Sequence, residues 1–473
     1  MRFHIITFGC QMNVHESDWI SRALVARGWE SVPEDRALAF IVNTCSVRDK
    51  PEQKVYSLLG RLAPYAAADP RVFVAVGGCV AQQIGRGLLE RYPFVRLVFG
   101  TDQVHRVPEA VEQLFESPDL RLAHLDFTPG LAEREPVFAA GPQTHAPGQA
   151  YVSIMQGCDN FCTYCIVPFT RGRQKSRGSV AVLEECRALV ERGAREITLL
   201  GQNVNSYGRD RHGDGTSFAQ LLRQVAALPG LARLRFTTSH PRDLGPDVVA
   251  AFAELSNLCP SLHLPLQAGS DRVLRRMGRG YGMARYLELV RALRIARPDL
   301  ALTTDLIVGF PGETEEEFSA TLEAMRAADF ESSFSFAYSD RPGTRAERMA
   351  GKLDQAAKLD RLARLQALQE ELTARALAAR VGAVAEVLVE GESVKQYPAA
   401  PRSWRGRDAH GRVVNFIFPE NGPENGPDNG PENVPDPQPA LSPAGNLAGA
   451  LVEVRILEAK KHSLRGEAVS QPW

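Results

Sequence analysis

Gly157-Cys158-Asp159-Asn160-Phe161-Cys162-Thr163-Tyr164-Cys165 sets three thiols in a C-x3-C-x2-C run. Three thiolates are one short of the four that close an iron–sulfur or zinc site. A 4Fe–4S cube held here keeps one iron without a protein ligand, open to a chelating small molecule. A zinc ion would need a fourth donor from a distance, with His240 or His263 as candidates, and the repeated C-x2-C pair of zinc knuckles is absent.

The surroundings of the triad alternate between strand-like and helix-like patterns. Strand-like runs fall at 150–155, 196–200, 234–238, 262–266, 302–308 and 333–338, with amphipathic stretches between them. Six β/α units predict a partial barrel, whose chemistry belongs at the carboxyl ends of its strands. The polar residues Cys158, Gln202, Asn203, Asn205, His240, Gln267, Asp305 and Tyr338 cluster at those ends. An Ala/Leu/Arg-rich stretch over 354–380 reads as one long helix that closes or bridges this barrel.

Residues 1–120 also alternate strand and helix, predicting a parallel sheet covered on both faces. Cys10, Cys45 and Cys79 each follow a predicted strand, so parallel strands bring all three thiols to one sheet edge. The readings are a second three-cysteine cluster site or three unrelated core thiols. Gly9, Gly77 and Gly78 favour the first, because glycine lets backbone approach a bulky group. Cys186 and Cys259 sit in helix-like surroundings and read as ordinary buried thiols.

Residues 121–149, with Pro129, Pro136, Pro142 and Pro147, read as a linker before a central domain over 150–380. Residues 381–470 change to short alternating strands and predict a small antiparallel β-barrel of the kind that binds oligonucleotides. The Pro/Glu/Asn/Gly repeat at 419–440 has almost nothing to bury and reads as a disordered insert. The fold class is therefore multidomain α/β: an N-terminal parallel sheet, a central partial (β/α)6 barrel and a C-terminal β-barrel.

With 55 Lys+Arg against 56 Asp+Glu, the net charge of −1 gives no chain-wide attraction for nucleic acid. Any RNA surface must be local. One candidate is Arg171, Arg173, Lys175 and Arg177 beside the triad. Another is Arg402, Arg405, Arg407 and Arg412 with Trp404 and Phe416, which mixes cations with stacking surfaces. For both, a solvated charged face is the plainer reading. No apolar run reaches the roughly 18 residues of a membrane span, and the first apolar stretch is too short for a signal peptide. Eight cysteines are too few for a secreted disulfide framework, so a reducing cytoplasm is expected.

Several motifs resemble one family across essentially the whole chain. They are Thr7-Phe8-Gly9-Cys10-Gln11-Met12-Asn13, Asn43-Thr44-Cys45-Ser46-Val47-Arg48-Asp49-Lys50, and Gly77-Gly78-Cys79-Val80-Ala81-Gln82. The triad continues through Pro168-Phe169-Thr170-Arg171-Gly172-Arg173, and further matches are Leu200-Gly201-Gln202-Asn203-Val204-Asn205, Thr238-Ser239-His240-Pro241, His263-Leu264-Pro265-Leu266-Gln267 and Asp305-Leu306-Ile307-Val308-Gly309-Phe310-Pro311-Gly312-Glu313. Together they resemble the MiaB-type tRNA methylthiotransferases, which are radical S-adenosylmethionine (SAM) enzymes. Asp159, Gln174 and Ala268 depart from the family's usual residues without touching a cysteine.

The resemblance implies two 4Fe–4S clusters: an auxiliary, sulfur-handling one on Cys10, Cys45 and Cys79, and a SAM-cleaving one on Cys158, Cys162 and Cys165. It implies a TRAM-like RNA-binding barrel at the C-terminus and conversion of N6-isopentenyladenosine at tRNA position 37 to its 2-methylthio form. Related branches act on threonylcarbamoyladenosine 37 or on a ribosomal-protein aspartate. A non-catalytic iron–sulfur protein, binding RNA or carrying electrons, is the rival of another class. Gln202, Asn203, Asn205, Gln267 and the Gly309 turn are the candidate SAM contacts, against a plain role as caps and turns. The expected partners are the tRNA anticodon stem-loop and a flavodoxin or ferredoxin as reductant, with the enzyme a monomer.

Overall fold

The computed structural model describes residues 1–46, 51–130, 146–396, 401–419 and 445–473. The repeat from 420 onward and most of the predicted linker lie outside them.

The N-terminal sheet is wholly parallel, in the spatial order Glu30–Ser31, Arg2–Thr7, Ala39–Thr44, Phe73–Gly78, Val95–Phe99, Leu122–His124. Side chains alternate across it. Phe40, Val42, Val74 and Val76 pack on Leu58, Leu59 and Leu62 of the helix Pro51–Ala68. Ile41, Phe73, Ala75 and Leu97 pack on Ile20 and Leu24 of Gln11–Ala26 and on Val111 and Leu114 of Val107–Glu116. Leu122–His124, read from the sequence as linker, is the edge strand of this sheet. Three residues are too few to show a period.

The central domain has six parallel strands in two groups. Gln149–Ser153, Glu196–Leu200 and Arg233–Phe236 form one, and Ser261–His263, Ala301–Val308 and Ser332–Ala337 the other. A bridge between Leu234 and Leu258 links the third strand to the lead-in of the fourth. One continuous core lies between strands and helices. The long helix Gln355–Ala378 starts at Asp354, whose carboxylate accepts from Ala357 N at 2.7 Å. Leu365, Leu368 and Leu372 enter the core, while Gln369 and Thr373 donate to Phe330 O and Glu331 O beside the last strand.

The C-terminal strands close into a barrel in the order Val384–Glu392, Ser403–Asp408, Val413–Ile417, Leu464–Ala468, Leu451–Ala459. All neighbours are antiparallel except Val413–Ile417 with Leu464–Ala468. A ring with an odd number of strands cannot alternate direction all the way round, so the expectation of a purely antiparallel barrel is amended by one parallel pairing.

This barrel docks on the amino ends of the central strands. Arg233 donates to Glu386 Oε1 at 2.9 Å and to Glu386 O at 2.7 Å. Arg412 reaches Glu331 at 2.6 Å, and Arg235 donates to Asp408 O at 2.9 Å. Arg233→Ala is expected to weaken the docking by about 2 kcal/mol, the usual scale for hydrogen bonds to charged groups. Limited proteolysis should then cut faster near residues 379–383; an unchanged rate would show that the apolar contacts suffice.

Candidate functional site

The first three thiols lie at the carboxyl edge of the N-terminal sheet, after three neighbouring strands. Cys10 caps the helix Gln11–Ala26, Cys45 follows Ala39–Thr44, and Cys79 opens the helix Cys79–Ile84. Asn13 and Asn43 tie the edge together: Asn13 Nδ2 donates to Asn43 Oδ1 and Thr44 O, both at 2.9 Å, and Asn43 Nδ2 donates to Asn13 O at 3.0 Å. Thr44 Oγ1 donates to Gly77 O at 2.5 Å and accepts from Ala81 N at 3.3 Å. Gly9 has φ +114° and lies so close to Cys45 that a Cβ would overlap the cysteine side chain. A hydrogen bond with the Cys45 side chain lowers the Cys10 thiol to about 6; burial opposes this, and the Arg171 guanidinium lowers it further.

The second triad lies in the loop after the strand Met155–Gln156. Gly157 has φ +77°, and its missing side chain leaves room for Arg173 O. Gln202 Oε1 accepts from Gly157 N at 2.6 Å, so this candidate SAM contact holds the loop that carries the triad. Thr163 N donates to Met277 O at 2.9 Å, and Ala346 N donates to Thr163 O at 2.8 Å. Burial pushes Cys158 up to about 11 and Cys165 up to about 12, so bare thiols here are protonated and metal uptake must release protons. Cys186 and Cys259 are buried thiols remote from both triads in sequence, raised by burial to about 12 and about 11.

Of the two zinc-donor candidates, only His240 stands near the triad. Its Nε2 is 3.9 Å from Cys162 Sγ. Its Nδ1 accepts from Arg242 N at 3.2 Å, an arrangement that assigns the proton to Nε2 and aims a donor at the sulfur. His263 is instead engaged by Thr303 and Asp305.

Around the triad, buried polar atoms have no hydrogen-bond partner among the described residues: Asn203 Oδ1, Asn205 Nδ2, Ser239 Oγ and Gln267 Oε1. All four residues follow central strands, where a bound molecule with amino, carboxylate and hydroxyl groups would satisfy them. The other ends of two of them are spent locally: Asn203 Nδ2 donates to Asp243 at 2.6 Å and Asn205 Oδ1 accepts from His240 N at 3.1 Å. Gly309, at φ +70°, donates its N–H to Glu313 Oε2 at 2.7 Å, and Arg361 pairs with the same carboxylate at 2.7 Å. The residues present are of the chemical kind these cofactors take: free thiols for an iron–sulfur cube and unsatisfied polar atoms for SAM.

The basic run beside the triad is not the open surface expected for RNA. Arg171 pairs with Glu16 at 2.8 Å, with side chains only 3% and 0% exposed. Lys175 pairs with Asp102 at 2.7 Å, also buried, and Asp102 further accepts from Gln156 at 3.2 Å. Thr101 donates to Thr170 O at 2.7 Å. These contacts join the N-terminal and central domains, so Arg171 and Lys175 are corrected from RNA contacts to interdomain ties. Arg177 is spent on Glu185 and Ser153 O. Arg173 alone stays exposed, over the Phe161 ring at 5.1 Å and paired with Asp159, whose carboxylate thereby has a use at this unusual position. In the barrel, Trp404 is 2% exposed and belongs to the core, which corrects its assignment as a stacking surface. Arg405 lies 3.3 Å from Glu390 and Arg402 covers the Trp404 ring at 4.6 Å. Glu16, Asp102 and Arg279, none of them flagged by the sequence, prove central to the site; no spacing in the chain marks them.

A partial parallel barrel with a three-thiol loop at its strand ends defines a radical SAM enzyme. The family described as "Radical SAM superfamily" matches residues 152–325, and "Uncharacterized protein family UPF0004" matches residues 2–100. The tRNA-2-methylthio-N(6)-dimethylallyladenosine synthase of Nitratidesulfovibrio vulgaris strain Hildenborough is 56% identical over 471 residues, covering 100% of this chain and 99% of its own. Those of Oleidesulfovibrio alaskensis and Lawsonia intracellularis are 54% and 48% identical, each covering 98% of its own length and 99% and 98% of this chain. The chain belongs to this family of radical SAM methylthiotransferases. Among solved structures, the radical SAM methyltransferase TsrM from Kitasatospora setae shares the fold at a TM-score of 0.52 and 14% identity, over 73% of this chain and 74% of its own.

Two substitutions test the site. Gly9→Ala should cost roughly half of the bound iron, by closing one triad while sparing the other; full iron content would show that the strand ends adjust. Glu16→Ala should destabilise the chain by about 3 kcal/mol in denaturant unfolding, because it strands a buried guanidinium.

Proposed function

We propose that this protein methylthiolates C2 of N6-isopentenyladenosine at position 37 of tRNA. The observation that carries the reading is the tie between the two thiol-bearing segments: Arg171, six residues beyond Cys165, pairs at 2.8 Å with Glu16 of the helix that Cys10 caps. The C2–H bond of an adenine ring is beyond acid–base chemistry, so a cofactor must supply a radical. Bound to the triads, 4Fe–4S clusters and SAM supply radical generation and a methylated sulfur.

The chain's residues do the rest. Cys158, Cys162 and Cys165 hold one cluster and Cys10, Cys45 and Cys79 the other. Gln202 fixes the loop, and Asn203, Asn205, Ser239 and Gln267 meet the polar groups of SAM. Arg173 and Phe161, both exposed at the mouth, offer a cation and a ring face to an anticodon loop. Arg405, on the strand Ser403–Asp408 of the TRAM-like barrel, is a separate candidate contact to the RNA. The target base is single-stranded or easily unstacked, so no duplex has to melt. The enzyme works as a monomer in the cytoplasm and takes electrons from a flavodoxin or ferredoxin. Among the described residues, no helix is long and apolar enough to cross a membrane.

Mass spectrometry of tRNA nucleosides from cells lacking the protein should show loss of 2-methylthio-N6-isopentenyladenosine and accumulation of its unthiolated precursor. Loss of the threonylcarbamoyl derivative, or of a ribosomal-protein mark, would move the assignment to another branch. In the purified protein, Cys45→Ala should retain SAM cleavage to 5′-deoxyadenosine while lowering methylthiolation by at least about a hundredfold, the scale on which losing a ligand or its support acts. Methylthiolation at the normal rate would remove the auxiliary site from the reaction.

A further inference from the structure

We infer that Arg279 is a positioning residue for the SAM-cleaving cluster. It is a buried counter-cation that donates to the sulfur of Cys162 and makes the cluster easier to reduce. The inference rests on the cluster assignment above and concerns a residue outside the thiol triads and the SAM-facing amides.

Arg279 is 4% exposed, yet among the described residues no carboxylate lies within ion-pair distance of it. Its guanidinium is held from three sides. Nη2 donates to Pro265 O at 2.9 Å, Nε to Tyr281 OH at 3.0 Å, and Nη1 lies 3.4 Å from both Tyr164 OH and Cys162 Sγ. Tyr281 OH in turn donates to Leu266 O at 2.9 Å, which fixes the ring that supports the arginine. A buried cation is costly without an anion beside it. The group placed to balance it is the Cys162 sulfur, 3.4 Å from Nη1, as a ligand of an anionic cluster.

His240 Nε2 faces the same sulfur at 3.9 Å, and the Arg242 backbone fixes the histidine tautomer that donates. Two donors thus converge on one of three cluster ligands. Hydrogen bonds to cluster sulfurs, and nearby charge, are what set iron–sulfur potentials. Reduction adds an electron, so a fixed positive charge in a water-poor site favours the reduced state. The sign is therefore definite: removing the charge lowers the midpoint potential.

The test uses the full-length chain with Cys10, Cys45 and Cys79 all changed to alanine, so that one cluster reports. The reconstituted protein is titrated against redox mediators and followed by electron paramagnetic resonance. Arg279→Gln should reduce the ratio of reduced to oxidised cluster about tenfold at a fixed potential, equivalent to about 59 mV for a one-electron couple. Arg279→Lys should restore most of this. An unchanged midpoint in Arg279→Gln with full iron content overturns the inference and leaves the cluster assignment standing. If Arg279→Gln takes up no cluster while Arg279→Lys does, the charge is what the anionic site requires, and the inference holds. If neither takes up a cluster, although in the cysteine-intact chain both still fill the auxiliary triad, the guanidinium is merely structural and the inference fails. A parent chain that binds no iron at all would instead sink the cluster assignment.

Discussion

The buried pairing of Arg171 with Glu16 is the contact on which the relation between the two thiol triads depends. Arg171 belongs to the segment that leaves the Cys158–Cys165 loop, and Glu16 to the helix that Cys10 caps. Two fully desolvated charges attract little net stability, because each loses its hydration. They do penalise any arrangement that parts them. Lys175 with Asp102 repeats the device a few residues on, and Thr101 with Thr170 adds a neutral hydrogen bond between them. Three polar ties over one short segment hold two separately built sheets in one register, which apolar contact alone would allow to slide.

Much of this architecture was legible in the chain because it obeys simple periods. Ala37 to Val42 read as an apolar strand and Val72 to Val76 as a buried one, and each strand proved to be followed by a cysteine at its carboxyl end. The C-x3-C-x2-C run needed no fold to be recognised, since its ligands come from one loop. The six central strands followed from alternation with amphipathic helices. The strand Ser403–Asp408 was not seen, and the reason is physical. Its inward positions are Trp404, Gly406 and Asp408, of which only the first is apolar. Position 406 takes a glycine because a Cβ there would overlap Leu388 O, and Asp408 is buried because Arg412 and the His410 backbone satisfy it. Polar residues with buried partners look, in one dimension, like surface.

The same ambiguity misdirected the reading of the charged residues. Arg171, Arg173, Lys175 and Arg177 are one patch in sequence and three different situations in space. Charge density along a chain cannot tell a solvated face from an interdomain lock, because the answer lies in carboxylates such as Glu16 and Asp102, far away in sequence. Arg279 is the converse case. A single arginine between two glycines carries no pattern, and only burial without a carboxylate partner reveals that it is spent on a sulfur.

Backbone strain completes the picture of a site held ready before anything binds. The non-glycine residues with positive φ among those described are Phe161, Thr238, Gln267 and Asp329. Asp329 ends the helix Glu315–Ala328, an ordinary place for such a conformation. The other three lie in the triad loop or at the ends of central strands. Thr238 is the most telling, because a β-branched residue is strongly disfavoured at φ +71°. Its carbonyl accepts from Val204 N at 3.1 Å, which ties it to the turn carrying Asn203 and Asn205, and Ser239 and His240 follow it directly. Gln267, at φ +75°, is clamped by Asp305 O and Ile307 N, both at 2.9 Å, and its Oε1 is left without a partner. These hydrogen bonds hold both strained backbones before anything binds, so that an incoming polar molecule finds Asn203, Asn205, Ser239 and Gln267 already fixed and loses little entropy in ordering them.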